Sequence, residues 1–570
     1  MANQLMRKTE DKLDIDVYYG QFYRSPDVVM KLDRIGSFHQ SRLSFMRQLL
    51  RRVFAEKWEF KYQDWCLDSK GVGHIIYSVN TGKRIYSLVV FTHDLPPKER
   101  SDRVIATAWD LTFTLFKGMP SSEDIERLKK HVPLQEAGRM SENELVLGRA
   151  NRSVRLWDLV VEKLAKGIQP TSSEVANVGY LMRTTAVYGS GKFGLADRVD
   201  IEGLDEFKAP FQVELLAVYM LRNVVFDLVA WFAKSKGGAK ALKLEERLKT
   251  QVGIGNSTGL GMAPFLVYHP DLLNKWISAR ERALTDVLSL ESISEGDFNL
   301  FKDLLTRSLN NTLEWTSINR DQTTRIEQLN VDLGNLVTFM STFDHVRQKH
   351  PWLSIFQWVE ENTVMETQEL VVSLLLEPYA KLVDHLGPEM SSFGEKELIR
   401  LQDFTCNDLR VLIEDNFQWA LGTDYTNQFQ SARFWYYSQA KLEPRLGERY
   451  EESGSDLEEP LAIGRDISFL NDQLLKEEKN KLISKFLLDH PEWRHVVKRV
   501  ISSQMMPYGE IRDNLISKEM RPLDLLRCKL SFFGATNFDP RSDRWVRICM
   551  YKNAPLAGSD VLAYDDFWPY

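Results

Sequence analysis

Cysteine is scarce in this chain. Four occur in 570 residues, at Cys66, Cys406, Cys528 and Cys549, with no Cys-x-x-Cys pair among them. That spacing supplies neither a disulfide framework nor a thiolate metal site, and it fits a reducing compartment. Histidine adds no metal motif. His-Glu-x-x-His is missing, and the pairs His345/His350 and His490/His495 are five apart, so on a helix they diverge by about 140° and do not chelate one ion together. Gly-x-Ser-x-Gly and a carboxylate-rich calcium loop are also missing, and no metal is expected. Charge of one sign is never concentrated. The formal net charge is −7, with Lys and Arg scattered among Asp and Glu, which argues against a nucleic-acid partner. Uninterrupted apolar runs are lacking as well. The most apolar stretch, residues 211–232, carries Glu214, Arg222, Asn223 and Asp227, which argues against a membrane span. The start, MANQLMRKTEDKLDID, is charged where a signal peptide needs an apolar core, so the expected setting is cytoplasmic.

What is present is globular in composition, with 43% hydrophobic and 27% charged residues. The expected fold is mainly α, a multi-helix core with a smaller N-terminal α+β portion containing a β-hairpin. Three regions are expected: 1–118, 119–400 and 401–570. The hairpin is GHIIYSVNTGKRIYSLVVFTH (73–93), two β-rich runs around Asn80-Thr81-Gly82. From 119 onward the spacing reads as helical. Pro120 to Asp124 opens one helix and RANRSVRLWDLVVEKLAKG forms a second. Thr171 and Glu174 have capping-box spacing for a third, running from 172 to about 186. The 211–234 run predicts a central buried helix, because it is apolar nearly all round. Near the end, DRWVRICMYKN reads as extended and is expected to pair with the N-terminal hairpin.

Two glycine-rich stretches carry the functional expectation. VYGSGKFGLADR (187–198) matches Gly-x-Gly-x-x-Gly at Gly189, Gly191 and Gly194. A dinucleotide fingerprint needs a strand before it and a helix after it, and the capping box predicts a helix before it instead. A Walker loop fails too, since Ala186 holds the first glycine position and Phe193 stands where Ser or Thr would bind magnesium. What survives is a turn whose backbone amides, Gly191 included, are open to an anion, with Ser190 as donor and Lys192 as point charge. Arg183 lies nine residues before Lys192. The second stretch, GIGNSTGLGMAPF (253–265), brackets Asn256, Ser257 and Thr258 with glycines, a pattern suited to an oxyanion-binding loop. Each stretch has a plain structural reading as well, in which glycines turn the chain and polar side chains satisfy it.

The favoured function is an enzyme acting on a small carboxylate or phosphate metabolite, with lyase-like or proton-transfer chemistry. Arg183, Ser190, Gly191 and Lys192 would hold the anion, and Asn256, Ser257 and Thr258 would donate to charge developing in the transition state. Tyr188, His269 or Lys192 would move the proton. The two stretches would sit one at each end of the 211–234 helix, whose Glu214, Arg222 and Asp227 supply buried charge. No cofactor is expected on this reading. The alternatives are a nucleotide-dependent enzyme using 189–194, and a non-catalytic helical scaffold with ARFWYYSQAKLEPR (432–445) as a docking surface. A homo-oligomer is compatible with so many apolar helices, although no particular residue argues for one.

Overall fold

The computed structural model describes residues 22–96, 98, 108–133, 141–189, 203–259, 269–317, 320–390, 404–422, 424–426, 435–438, 443–446, 458–460, 463–511, 521–534, 538–540 and 545–559. The chain divides into two units, each assembled from separated stretches. A sheet unit takes residues 44–259, 314–323 and 533–570. A helical unit takes 1–43, 260–313 and 324–532.

The sheet unit overturns the expectation of a mainly helical core with one small hairpin. Helix is 57% of the structure, yet this unit is built on nine hydrogen-bonded strands. These are β1 (Glu59–Leu67), β2 (Gly73–Asn80), β3 (Ile85–Thr92), β4 (Leu111–Lys117), β5 (Glu144–Arg152), β6 (Tyr180–Gly189), β7 (Gly253–Gly259), β8 (Phe538–Pro540) and β9 (Trp545–Met550), in the spatial order β1-β2-β3-β4-β5-β6-β7-β9-β8. The expected hairpin is β2–β3, with Asn80 opposite Ile85 and Gly82 at φ +82° in the turn. The C-terminal extended run does join this sheet. Its partner is β7, not the hairpin: Val546 pairs with Thr258 and Met550 with Ile254.

Three strands lie where helix or loop was expected, for identifiable reasons. RANR, assigned to a helix, is the end of β5, and that helix, α2 (Trp157–Ala165), starts later; α1 (Phe45–Ala55) precedes it in this unit. The Thr171–Glu174 capping box is present, but its helix α3 (Ser172–Ala176) lasts little more than one turn. Gly179, at φ +75°, breaks it. The next ten residues, with Tyr180, Thr184, Thr185, Val187 and Tyr188, have the β-branched and aromatic content of a strand. GIGNSTG has no apolar alternation to mark it as a strand, and it becomes β7 by pairing with neighbours on both sides.

The predicted central helix is α4 (Gln212–Gly237). It packs on α1 and α2 and across β3 to β7. With its terminal turn to Lys240 it is long and apolar enough to cross a membrane by length and composition, and 72% of its most apolar window is buried in the protein. The opposite sheet face is covered too. Ile76, Val89, Phe91, Phe116 and Leu147 pack with Leu128 and Val132, at the helix Ser122–His131. Cover on both faces explains the nearly continuous burial of β2 to β5.

The helical unit contains α5 (Pro270–Leu288), most of α6 (Arg320–Thr342), α7 (Met365–Leu376) and α8 (Arg521–Phe533), with further helices at Glu295–Leu313, Pro351–Asn362, Cys406–Asn416, Ile463–Leu474 and Arg494–Met505. Trp276 of α5 is fully buried, its ring 4.2 Å from that of Phe532 and 6.0 Å from that of Phe38. A small antiparallel sheet of Trp435–Ser438, Glu443–Leu446 and Glu458–Pro460 also lies here, so part of ARFWYYSQAKLEPR is strand.

Candidate functional site

β6 and β7 are the one parallel pair among the nine strands. Tyr180 pairs with Gly253, Arg183 with Gly255 and Thr184 with Asn256. A parallel pair needs a crossover, and α4 lies in the chain between the two strands and packs on both. Both strands therefore run toward the same edge of the sheet, about 4.8 Å apart. The expectation of one glycine stretch at each end of the helix is corrected: Gly189 and Gly259 close neighbouring strands at a shared edge. Ser190, Gly191 and Lys192 follow β6 directly and lie outside the described residues, as do residues 260–268 after β7.

The second stretch is a strand over Gly253–Gly259, not an open loop. Ser257 and Thr258 sit in the ladder opposite Arg547 and Val546. Its first glycines answer to packing. A Cβ on Gly253 would lie 2.2 Å from the Met550 carbonyl oxygen, and one on Gly255 would lie 2.7 Å from the Tyr180 ring. Between the strands, Asn256 Nδ2 donates to Thr184 Oγ1 at 2.9 Å, and Thr184 Oγ1 donates to the Gly255 carbonyl at 3.2 Å. Thr184 is fully buried and Arg183 nearly so. Tyr188 is in β6 opposite Leu147. The structure thus brings Arg183, Thr184, Tyr188 and Asn256 onto two adjacent strands. Thr184 was not among the expected site residues; only its pairing across the strands marks it.

The three charges on α4 have separate fates. Arg222 is fully buried and has no carboxylate partner among the described residues; carbonyl oxygens surround it instead. Nε donates to Val252 (2.7 Å), Nη1 to Ala554 (3.0 Å) and Pro555 (3.2 Å), and Nη2 to Lys249 (3.1 Å) and Thr250 (3.3 Å). Burial pushes its pKa down to about 10, so it stays charged at neutral pH. It fixes the turn that enters β7 and ties the segment after β9 to α4. Glu214 is buried in the first turn of α4, where the helix dipole favours an acid. Asp227 is half-buried and accepts a 2.6 Å hydrogen bond from Tyr62.

His269 belongs to the helical unit, immediately before Pro270 at the start of α5. Burial, helped by the charge of Lys529, drives its pKa down to about 3. A neutral imidazole throughout the physiological range has no proton to give as a general acid.

The helical unit also holds a buried ion network that sequence reasoning missed. Glu369 on α7 meets three arginines: Arg24 at 2.7 Å, Arg280 at 2.8 Å and Arg34 at 2.9 Å. Arg24 also pairs with Glu281 at 2.6 Å. One turn earlier on α7, Glu366 accepts from Arg527 of α8 and from His39 at 3.0 Å, while Arg325 of α6 reaches Asp524 at 2.9 Å. Burial raises the carboxyl of Glu369, but Arg24, Arg280 and Arg34 outweigh it and leave the pKa at about 2. Asp524 goes the other way. Burial lifts it to about 6 against the pull of Arg325 and Arg527. The one sequence signal is Glu366-Thr367-Gln368-Glu369, a polar tetrad opening an otherwise apolar helix.

No protein-family model, no curated protein and no solved structure matches this chain.

Proposed function

We propose that this protein binds a small anionic metabolite, a carboxylate or a phosphate, at the shared carboxyl edge of β6 and β7. The observation that supports this most is the parallel pairing of the two strands through α4. In sheets with parallel strands, ligands bind outside the carboxyl ends, at a crossover. Here both strands lead into glycine-rich sequence at that edge, and the segment after β6 brings Ser190 and Lys192. In the enzymatic form of the reading, Lys192 holds the anionic group and Tyr188 or Lys192 moves the proton in an elimination or a proton abstraction beside a carboxylate. His269 takes no part.

A nucleotide is the second reading, and one observation favours it. A strand, not a helix, precedes Gly189, so the ground for setting aside a phosphate-binding turn is removed. The motif still does not open a helix, since α4 begins at Gln212.

A thermal-shift screen with ATP, NAD, inorganic phosphate and di- and tricarboxylates tests both readings. A ligand at a hundred times its Kd stabilises the folded state by about 2.7 kcal/mol. Lys192→Ala should abolish the shift while leaving the ligand-free melting temperature unchanged. No shift from any of these anions, or an equal shift in the variant, refutes the proposal. If nucleotides alone shift the protein, the metabolite reading gives way to the second.

A further inference from the structure

We infer a second, separate site on the sheet unit, at Asp227, that takes an organic ammonium cation. The argument starts from β1, an edge strand whose residues alternate between solvent and α4. Phe60 and Tyr62 are half-buried at two-residue spacing, as are Trp65 and Leu67. The step from Tyr62 to Trp65 is three residues, which would put the two rings on opposite faces of a regular strand. A bulge between Tyr62 and Asp64 absorbs the extra residue and returns Trp65 to the same face. On β2, Tyr77 sits directly opposite Tyr62, with ring centroids 4.5 Å apart, and the Trp65 ring meets Tyr62 edge-on at 5.2 Å.

One stripe of α4 faces this aromatic wall. Tyr219, Asn223, Asp227 and Trp231 recur at four-residue steps. The Tyr219 ring lies 5.9 Å from Phe60, and Trp231 packs at Gly71 in the turn between β1 and β2. Asp227 is thus a carboxylate set between aromatic side chains of a helix and a sheet edge.

Its charge is not answered by the protein. Among the described residues Asp227 has no ion pair, and its one hydrogen bond comes from the Tyr62 hydroxyl to Oδ2. Oδ1 has no donor, yet it is not among the buried atoms left without a partner, so solvent reaches it. The neighbouring hydroxyls do not change the sign. Burial and the nearby Asp227 carboxylate push Tyr62 far above the usual phenol range. Tyr77 is raised by burial, Tyr219 and Asp227. Both stay neutral. Trp65 Nε1 is buried with no acceptor, so the wall also leaves one donor unmet.

This combination selects a ligand chemistry. Ring faces carry negative electrostatic potential and attract a cation whose charge is spread over alkyl-substituted nitrogen. A single carboxylate oxygen fixes that charge. A hard metal ion needs six or more oxygen ligands for calcium and near-octahedral oxygen for magnesium, which one carboxylate and aromatic rings do not supply. Elsewhere in this unit the same physics is met by the protein's own cation: Arg152 lies 4.9 Å from the Trp157 ring centroid and 4.4 Å from that of Phe232, beside Asp110. At Asp227 that place is left for a ligand.

The test is titration of the full chain with tetramethylammonium and with choline, followed by tryptophan fluorescence and thermal shift, against sodium chloride at equal ionic strength. A saturable response to the ammonium ions, not matched by sodium, is expected. Asp227→Asn keeps an acceptor for Tyr62 while removing the charge, and should weaken binding at least about tenfold. Trp65→Leu removes one ring without touching the carboxylate and should weaken it severalfold. It carries the test if the first variant is destabilised by far-UV circular dichroism. No saturable response in the wild-type protein, or unchanged affinity in the folded variants, overturns the inference. The anion screen with Lys192→Ala is read at the other site, so either proposal can fail alone.

Discussion

Replacing Glu369 with Gln removes one negative charge from a place where three arginines converge, all within 2.9 Å. Arg24 and Arg280 keep Glu281, but Arg34 keeps only the neutral Gln368 among the partners described here. The cost follows from the proton affinity of the carboxyl. A group at about 2 in the folded protein against 4.5 in its free form is worth about 3 kcal/mol at neutral pH, since a tenfold change in proton affinity is ~1.4 kcal/mol. Breaking a buried ion pair costs about 3–5 kcal/mol in general, so the two routes agree. The sign is that of a depressed carboxylate. The contribution is fully present above about pH 4.5 and is lost as pH falls toward 2. With two units in the chain, whole-molecule unfolding is a poor readout, so amide hydrogen exchange in α5 and α7 is the assay. The opening free energy there should fall by about 3 kcal/mol or more in Glu369→Gln at pH 7. A change below ~1 kcal/mol would refute the reasoning, because the carboxylate would then gain nothing from its arginines on folding.

Asp524 gives the opposite pH dependence. Its folded pKa of about 6 lies above the free value of 3.8, so the folded state holds the proton more tightly and stability falls as pH rises from about 4 to about 6. Asp524→Asn should remove that decline from the urea midpoint of the helical unit, and a decline that persists in the variant assigns it elsewhere. Gly253→Ala tests whether the glycines of β7 serve packing. A Cβ 2.2 Å from the Met550 carbonyl and 2.7 Å from Cys549 Sγ forces β9 away, so melting should drop by several degrees, a loss of about 1–3 kcal/mol. An unchanged melting temperature would show that β9 yields freely.

What the sequence reveals and what it hides divide along the range of the interactions. The β2–β3 hairpin and the Thr171 capping box are local, written in residues a few positions apart, and both are readable. β6 was misread because the cap predicts a start but not a length, and Gly179 ends the helix after little more than a turn. β7 carries no strand pattern of its own; its pairing with β6, about seventy residues earlier, and with β9, almost three hundred later, makes it one. Arg183, Tyr188 and Asn256 could be singled out as polar groups near glycine, but their lying on two adjacent strands is a property of the crossover. Asp227 stood out as a charge in an apolar helix, while its aromatic wall comes from residues more than 140 positions away, aligned by a bulge that no composition reports. The Glu369 network draws on five separated segments, each ordinary by itself.

The placement of β9 has a consequence for the order in which the molecule is made. β7 ends at Gly259 and its antiparallel neighbour starts at Trp545. At 5–20 residues per second a ribosome needs about 15–60 s to add the ~280 residues between them. Throughout that interval one side of β7 presents bare amides and carbonyls, the condition under which nascent strands recruit wrong partners. Arg222 waits as well, with Lys249, Thr250 and Val252 in place but the Ala554 and Pro555 oxygens still unmade. The sheet unit is therefore completed last, by the far end of the chain, and a ribosome that stops short of residue 545 releases a protein with an open seam beside β7.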